Sequence, residues 1–244
     1  MRVWDIHPGY LSNPSLSGEH GEIHALYSII SQKKSGYSRH PETLRWAEHL
    51  GFLLLRHDLV LKEMTLRGFN HNSPCPSVGS IEGKIDLVPY IDLPEVQFEI
   101  LRKKYAQKYQ KGRIPLPRNG SEFWSHHKYS VMSRGYQYYQ DIQQFMKNRK
   151  DLPIEQEHDL IMMIQMYMEK QMTLKVLNNV VEHLWGYFNN KANLQEKTHF
   201  FNLPDSIKKL NYLFSMAEKY RQNYLLHSTV FADFLPCADA IGTL

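Results

Sequence analysis

Gly18-Glu19-His20-Gly21-Glu22-Ile23-His24-Ala25 sits inside a segment whose apolar residues recur at helical spacing. Leu16, Ile23, Leu26, Tyr27 and Ile30 form one face of an amphipathic helix. Asn13 is placed to cap that helix and Pro14 to occupy its first turn. Beside the apolar face runs a second stripe, Gly18, Gly21, Glu22 and Ala25, three or four residues apart and so one above another. Two glycines inside a helix cost about 1 kcal/mol each against alanine. Such a stripe reads in two ways. Something lies close to the backbone around Glu22, or the helix packs tightly on a neighbour with Glu22 at its solvated edge. Periodicity alone favours the second.

Working outward, a basic turn at Lys33-Lys34-Ser35-Gly36-Tyr37 precedes a second helix. Pro41 and Glu42 mark its start, and Leu44, Ala47, Leu50, Leu54, Leu61 and Met64 carry it to a C-cap at Gly68, with a bend at Gly51. Arg39, His40, Arg45 and Trp46 cluster at its beginning, where a helix N-terminus with adjacent cations suits a phosphate. Residues 70–92 hold Pro74, Pro76, Gly79, Gly83 and Pro89 and read as a linker. Pro94 opens a helix through Arg102, Lys103 and Lys104, and Ser121 is placed to cap the next. Further helices are expected around 155–170, 173–189 (capped by Thr173) and 204–226. The Met-rich run 160–168 reads as adaptable core filler. No alternating strand pattern extends beyond a few residues, so the expected fold is all-α, with domains at 1–85 and 86–244.

The 244 residues carry a net charge of +4. Residues 1–85 hold 9 Lys/Arg against 8 Asp/Glu, residues 86–150 hold 12 against 6, and residues 151–244 hold 8 against 11. The positive field lies in the middle, interleaved with aromatics, which fits a polyanion partner. Cys75 and Cys237 make neither a disulfide framework nor a metal motif. No apolar run reaches membrane-spanning length and the start lacks a signal-sequence pattern. A cytoplasmic protein is expected. His20 and His24 stand one turn apart, and His126-His127 could add further ligands. The order is not His-Glu-x-x-His, however. The histidines read as exposed or core residues, and no metal or cofactor is expected.

Met1-Arg2, Leu16 and Glu19-His20-Gly21-Glu22-Ile23 resemble the start of the phage-type endonuclease V family, the pyrimidine dimer DNA glycosylases. Met64-Thr65-Leu66-Arg67-Gly68-Phe69-Asn70 resembles that family's Leu-Lys-Arg-Gly-Phe-Asn helix end. The resemblance implies an endonuclease V-like helical domain and a DNA repair glycosylase with coupled AP lyase activity on UV pyrimidine dimers or related damaged bases. It places the amine nucleophile on Met1, the catalytic carboxylate on Glu22 and a lesion or phosphate contact on Arg2. Initiator methionine is kept before a large residue, so Arg2 implies a retained Met1. As a class, α-amines keep a useful neutral fraction near neutral pH. The sequence departs from the family at Gly21 and Ala25, where the family has arginines, and at Ser15, where it has a histidine.

His127-Lys128-Tyr129-x-x-Met132-Ser133, Tyr139 and Asn179-Val180-Val181-Glu182-His183-Leu184-Trp185-Gly186-Tyr187-Phe188 resemble a helical domain of unknown function. That domain is also found fused to thiouracil or thiouridine desulfidases. The resemblance implies a nucleic-acid-holding role. The nucleic-acid contacts expected overall are Arg2, His20, His24, Arg39, His40, Arg45, Arg102, Lys103, Lys104, Arg113, Arg118, His127 and Lys128. The expected partner is damaged double-stranded DNA, or RNA. The alternative is a catalytically inert RNA-, tRNA- or DNA-binding module.

Overall fold

The computed structural model describes residues 1–71, 73, 88–149, 152–172 and 174–235. Cys75, Cys237, Thr173 and most of the expected 70–92 linker lie outside them. The fold is all-α: among the described residues there is no strand, only isolated bridges pairing Ser12 with Gly112 and Asn119 with Pro153. None of their helices is long and apolar enough to cross a membrane. The chain forms two compact units, one built on Met1–Gly112 and one spanning Arg113–Phe234. They do not part at residue 85. The helix expected to open the second domain packs on the first unit, because its Gln97, Tyr105 and Lys104 bond residues 5, 10, 12 and 15.

In the first unit, α1 (Asn13–Ser31) is capped by Ser12, whose Oγ accepts from the Ser15 amide, so the cap falls one residue before the expected Asn13. The expected second helix is two: α2 (Pro41–Trp46) and α3 (Leu50–Leu66). The break lets Trp46 turn inward, 3% exposed, while Leu44 faces solvent. Gly68 ends α3 as expected, at φ +75°. The Phe69 amide bonds the Met64 carbonyl and the Gly68 amide bonds that of Thr65, the Schellman arrangement. Helix α4 (Pro94–Lys108) starts at the predicted proline. Leu16, Ile23 and Leu26 of α1 share the core with Leu53, Val60 and Leu61 of α3 and Phe98 and Leu101 of α4. Tyr10 packs edge-on against Phe98 at 5.1 Å. Gly112 lies so close to the Tyr10 carbonyl that an added Cβ would clash with it.

The second unit holds α5 (Gly120–Met132), α6 (Tyr136–Phe145), α7 (His158–Met168), α8 (Leu174–Trp185), α9 (Leu194–Asn202), α10 (Ser206–Lys219) and the short α11 (Asn223–Leu226) and α12 (Val230–Asp233). Asn119, not Ser121, caps α5 by accepting from the Glu122 amide. The core positions of the Met-rich run are taken by Leu160, Ile161, Ile164 and Tyr167. Met166 is exposed, because it falls on the outward face of α7. Helix α9 is closed by a capping box between Asn193 and Glu196, and Trp185 stacks on Phe200 at 4.1 Å.

Candidate active site

Three side chains hold the first residues of the chain by accepting from their backbone. The Val3 amide donates to Glu42 Oε1 of α2 at 3.1 Å, the Trp4 amide to Glu19 Oε1 of α1 at 2.8 Å and the Asp5 amide to Gln97 Oε1 of α4 at 2.8 Å. An end that is usually frayed is thereby clamped, with Val3, Trp4 and Ile6 in the core. Glu19 is itself fixed by a two-pronged pair with Arg56 of α3, Nε to Oε1 and Nη2 to Oε2, both at 2.9 Å. Arg56 also donates to the Ile6 carbonyl. Burial pushes the Glu19 carboxyl up and Arg56 opposes it. Burial likewise raises Glu42 and Asp5, with Arg45 opposing in both cases.

This clamp brings the Met1 nitrogen to 4.0 Å from Glu22 Oε1, within ion-pair range but longer than a hydrogen bond. The Met1 side chain is 10% exposed and that of Glu22 35%, so solvent reaches the carboxylate. The glycines do not make room for the amine. A Cβ built on Gly18 or Gly21 meets nothing within 4 Å, and Gly18, Gly21 and Ala25 all face solvent. The small-residue stripe is an exposed, nearly bare helix face beside Glu22, because core packing uses the opposite face through Leu16, Ile23 and Leu26.

The expected phosphate contacts divide. Arg2 pairs with Asp92 at 2.6 Å and lies over Trp4. Lys104 donates to Ser15 Oγ at 2.9 Å. Its pKa is lowered, by burial first and then by the charges of Lys108 and Arg2. Lys103 is exposed and pairs with Glu99, Arg102 is half-buried and Arg39 is exposed. His40 caps α2 through Nδ1. Arg45 is a correction to the expected surface contact. It is 5% exposed, because its guanidinium answers Asp5, Glu42 and the Val3 carbonyl.

His20 and His24 also turn inward. Their Nε2 atoms and that of His57 on α3 stand 3.2 Å apart in all three pairings. His71, just beyond α3, brings its ring to 5.0 Å from that of His20. Burial, and then the neighbouring His24, His57 and His71, hold the His20 pKa down to about 4.

In the second unit, Arg113 donates to the carbonyls of Leu226 and Ser228, and Arg118 pairs with Glu122. His127 is buried against Phe123, and the Lys128 ammonium lies over the rings of Tyr129 and Tyr224 at 4.7 and 4.8 Å. A cleft of about 470 Å³ is lined by Met132, Tyr136, Val176, Asn179, Glu182 and His183, uniting residues of both expected motifs.

The residues that sequence reasoning misses are therefore Glu19, Glu42, Gln97 and Arg56, which seat the N-terminus, and His57 and His71. A signal exists for Glu19 and His57. Each interrupts an apolar helical stripe, Leu16-Glu19-Ile23-Leu26 and Leu53-His57-Val60-Met64.

Residues 1–77 match a family described as pyrimidine dimer DNA glycosylase, and residues 128–234 match one described as protein of unknown function (DUF1722). The first match spans Met1, Glu22 and the four histidines. No curated protein and no solved structure matches the chain.

Proposed function

We propose that the first unit is a DNA glycosylase with coupled AP lyase activity on pyrimidine dimers or related damaged bases. In this reading the Met1 α-amine is the nucleophile and Glu22 the catalytic carboxylate. The observation that carries it is the 4.0 Å approach of the two groups on an N-terminus clamped by three helices.

The enzyme first draws a nucleotide out of the stack, since C1′ is unreachable within the duplex. The neutral amine attacks C1′, and the bond from C1′ to the base breaks. The base leaves with that electron pair and takes up a proton. The sugar ring opens as the nitrogen loses a proton and O4′ gains one, leaving an imine. Removal of a C2′ proton then expels the 3′ phosphate. Glu22 faces the amine, so its charge stabilises the cationic sugar and it ferries the protons of ring opening. Arg2, next to Met1 in the chain, supplies positive charge beside the site. The bare face at Gly18, Gly21 and Ala25 lets a nucleic-acid backbone come near Glu22 where longer side chains would hold it off.

Borohydride reduction tests this reading. Incubation with UV-irradiated or abasic duplex should yield a covalent adduct whose peptide map places DNA on Met1. Tight binding of DNA or RNA with no adduct on any substrate would replace the enzyme with a holding module.

A further inference from the structure

We infer that His20, His24, His57 and His71 form a binding site for one first-row transition-metal dication, zinc foremost, that ties α1, α3 and the chain beyond α3 together. One potential ligand atom from each residue lies within 4.8 Å of the other three. His20 and His24 are a helical i, i+4 pair, His57 faces them from α3, and His71 closes the group from the segment after it.

The nitrogen triangle calls for a cation. A bare imidazole nitrogen accepts but cannot donate, and a protonated one donates but cannot accept. Three Nε2 atoms share these two states, so at least two are alike. At least one of the three 3.2 Å contacts therefore sets lone pair against lone pair, or N–H against N–H. A metal ion at the centre satisfies all three lone pairs at once. His71 adds an independent sign: its Nε2 is buried without a hydrogen-bond partner. An orphaned buried nitrogen costs free energy that coordination would recover.

The dimensions select the ion. Metal–nitrogen bonds of about 2.0–2.1 Å place tetrahedral ligand atoms about 3.3–3.4 Å apart. The same bonds at right angles, as in square-planar or octahedral sites, place neighbours about 2.9 Å apart. The observed 3.2 Å lies closer to the tetrahedron. The set has neither a thiolate nor a carboxylate, which disfavours copper(I), magnesium and calcium, while imidazole suits zinc. The widest separation, 4.8 Å, exceeds a tetrahedral edge, so His71 must draw inward on binding. Its place past the end of α3 allows that. The His57 Nδ1 stands 3.8 Å from Asp58 Oδ1, beyond hydrogen-bond range. Four protein ligands leave no open position, so the role is structural.

The test uses the full chain without a histidine tag, stripped by chelator and titrated with zinc(II) and with cobalt(II). It is independent of base excision, so its outcome does not depend on the reading above. One equivalent of zinc should bind, and cobalt(II) should give the intense visible bands of a tetrahedral site. His24→Ala and His71→Ala, at half-buried positions, should each weaken zinc binding by on the order of 100-fold. His199→Ala should leave it unchanged. The buried His57→Ala serves only if it folds. Failure of the wild-type chain to bind stoichiometric zinc, an octahedral cobalt spectrum, or undiminished affinity in both ligand variants would overturn the site.

Discussion

The Trp4 amide donates to the Glu19 carboxylate at 2.8 Å, three residues before Glu22 on the same helix. One turn of α1 thus carries both the residue that seats the N-terminus and the residue the seated amine faces. The amine's position relative to Glu22 is set through the backbone, not by the loose reach of the Met1 side chain.

Glu22→Gln should leave folding and DNA affinity near wild type while lowering base excision by roughly 100-fold or more, the contribution of a positioned acid–base group. Its partial exposure and its 4.0 Å distance from the amine make it dispensable to the fold. Single-turnover excision of UV-irradiated duplex checks this. Wild-type excision by the variant would remove Glu22 from the mechanism.

Glu19→Ala should act on stability instead. It leaves the Arg56 guanidinium and the Trp4 amide buried without their acceptor. Breaking a buried pair costs about 3–5 kcal/mol. Denaturant unfolding should show that loss, and borohydride trapping should fall further than DNA affinity because the amine is no longer held. A stability within about 1 kcal/mol of wild type, on the same scale, would mean that the clamp does not depend on this pair.

Met1 should survive in the mature protein, as intact-mass measurement will show. Acetylating its amine, or placing a tag before it, should abolish imine trapping while DNA binding persists. A tagged, uncleaved chain that nicks damaged DNA at the normal rate would exclude the amine as nucleophile.

Replacing Arg102, Lys103 and Lys104 together by alanine should weaken DNA binding across sequences. For every phosphate that is no longer neutralised, the slope of log affinity against log salt should flatten by about 0.9. Lys104 should account for more of the effect than Lys103, which already pairs with Glu99. An unchanged slope would assign the triplet to an ordinary solvated face.

Acid should act on the second unit through Glu196. Bonds from Lys219, then Tyr220 and the Asn193 amide, hold its pKa down to about 2 against an ordinary 4.5. A depressed folded-state pKa gives stability that is complete above 4.5 and is lost as pH falls from there through about 2. Melting curves of wild type and Glu196→Gln should therefore converge over that window. A gap between them that does not change with pH would show that the Glu196 charge is not what holds α9 to α10.

Local signals carry much of this structure. Pro94 starts α4 and Gly68 ends α3 because each acts through its own backbone geometry. The pairing of Met1 with Glu22 is legible only through the family resemblance, because helical periodicity alone leaves Glu22 at a solvated edge. Arg45 misleads because its partners, Asp5 and the Val3 carbonyl, lie some forty positions away, and a cation beside a helix start looks the same paired or free. The break between α2 and α3 is hidden because Leu44 and Ala47 continue the helical period that the chain abandons. The histidine group is half legible. His20 and His24 pair visibly on one helix and His57 interrupts an apolar stripe, while His126 and His127 attract attention as further ligands because no local cue points to His71.

The clamp also has a temporal meaning. The Asp5 amide meets Gln97 across 92 positions, and Arg2 meets Asp92 across 90. While a ribosome is still making the first part of the chain, neither partner has emerged and the amine is an ordinary loose end. It is then open to any enzyme that trims or acylates nascent N-termini. Synthesis of α4 completes the clamp, so the amine proposed as nucleophile gains its full hold only once this later helix has been made.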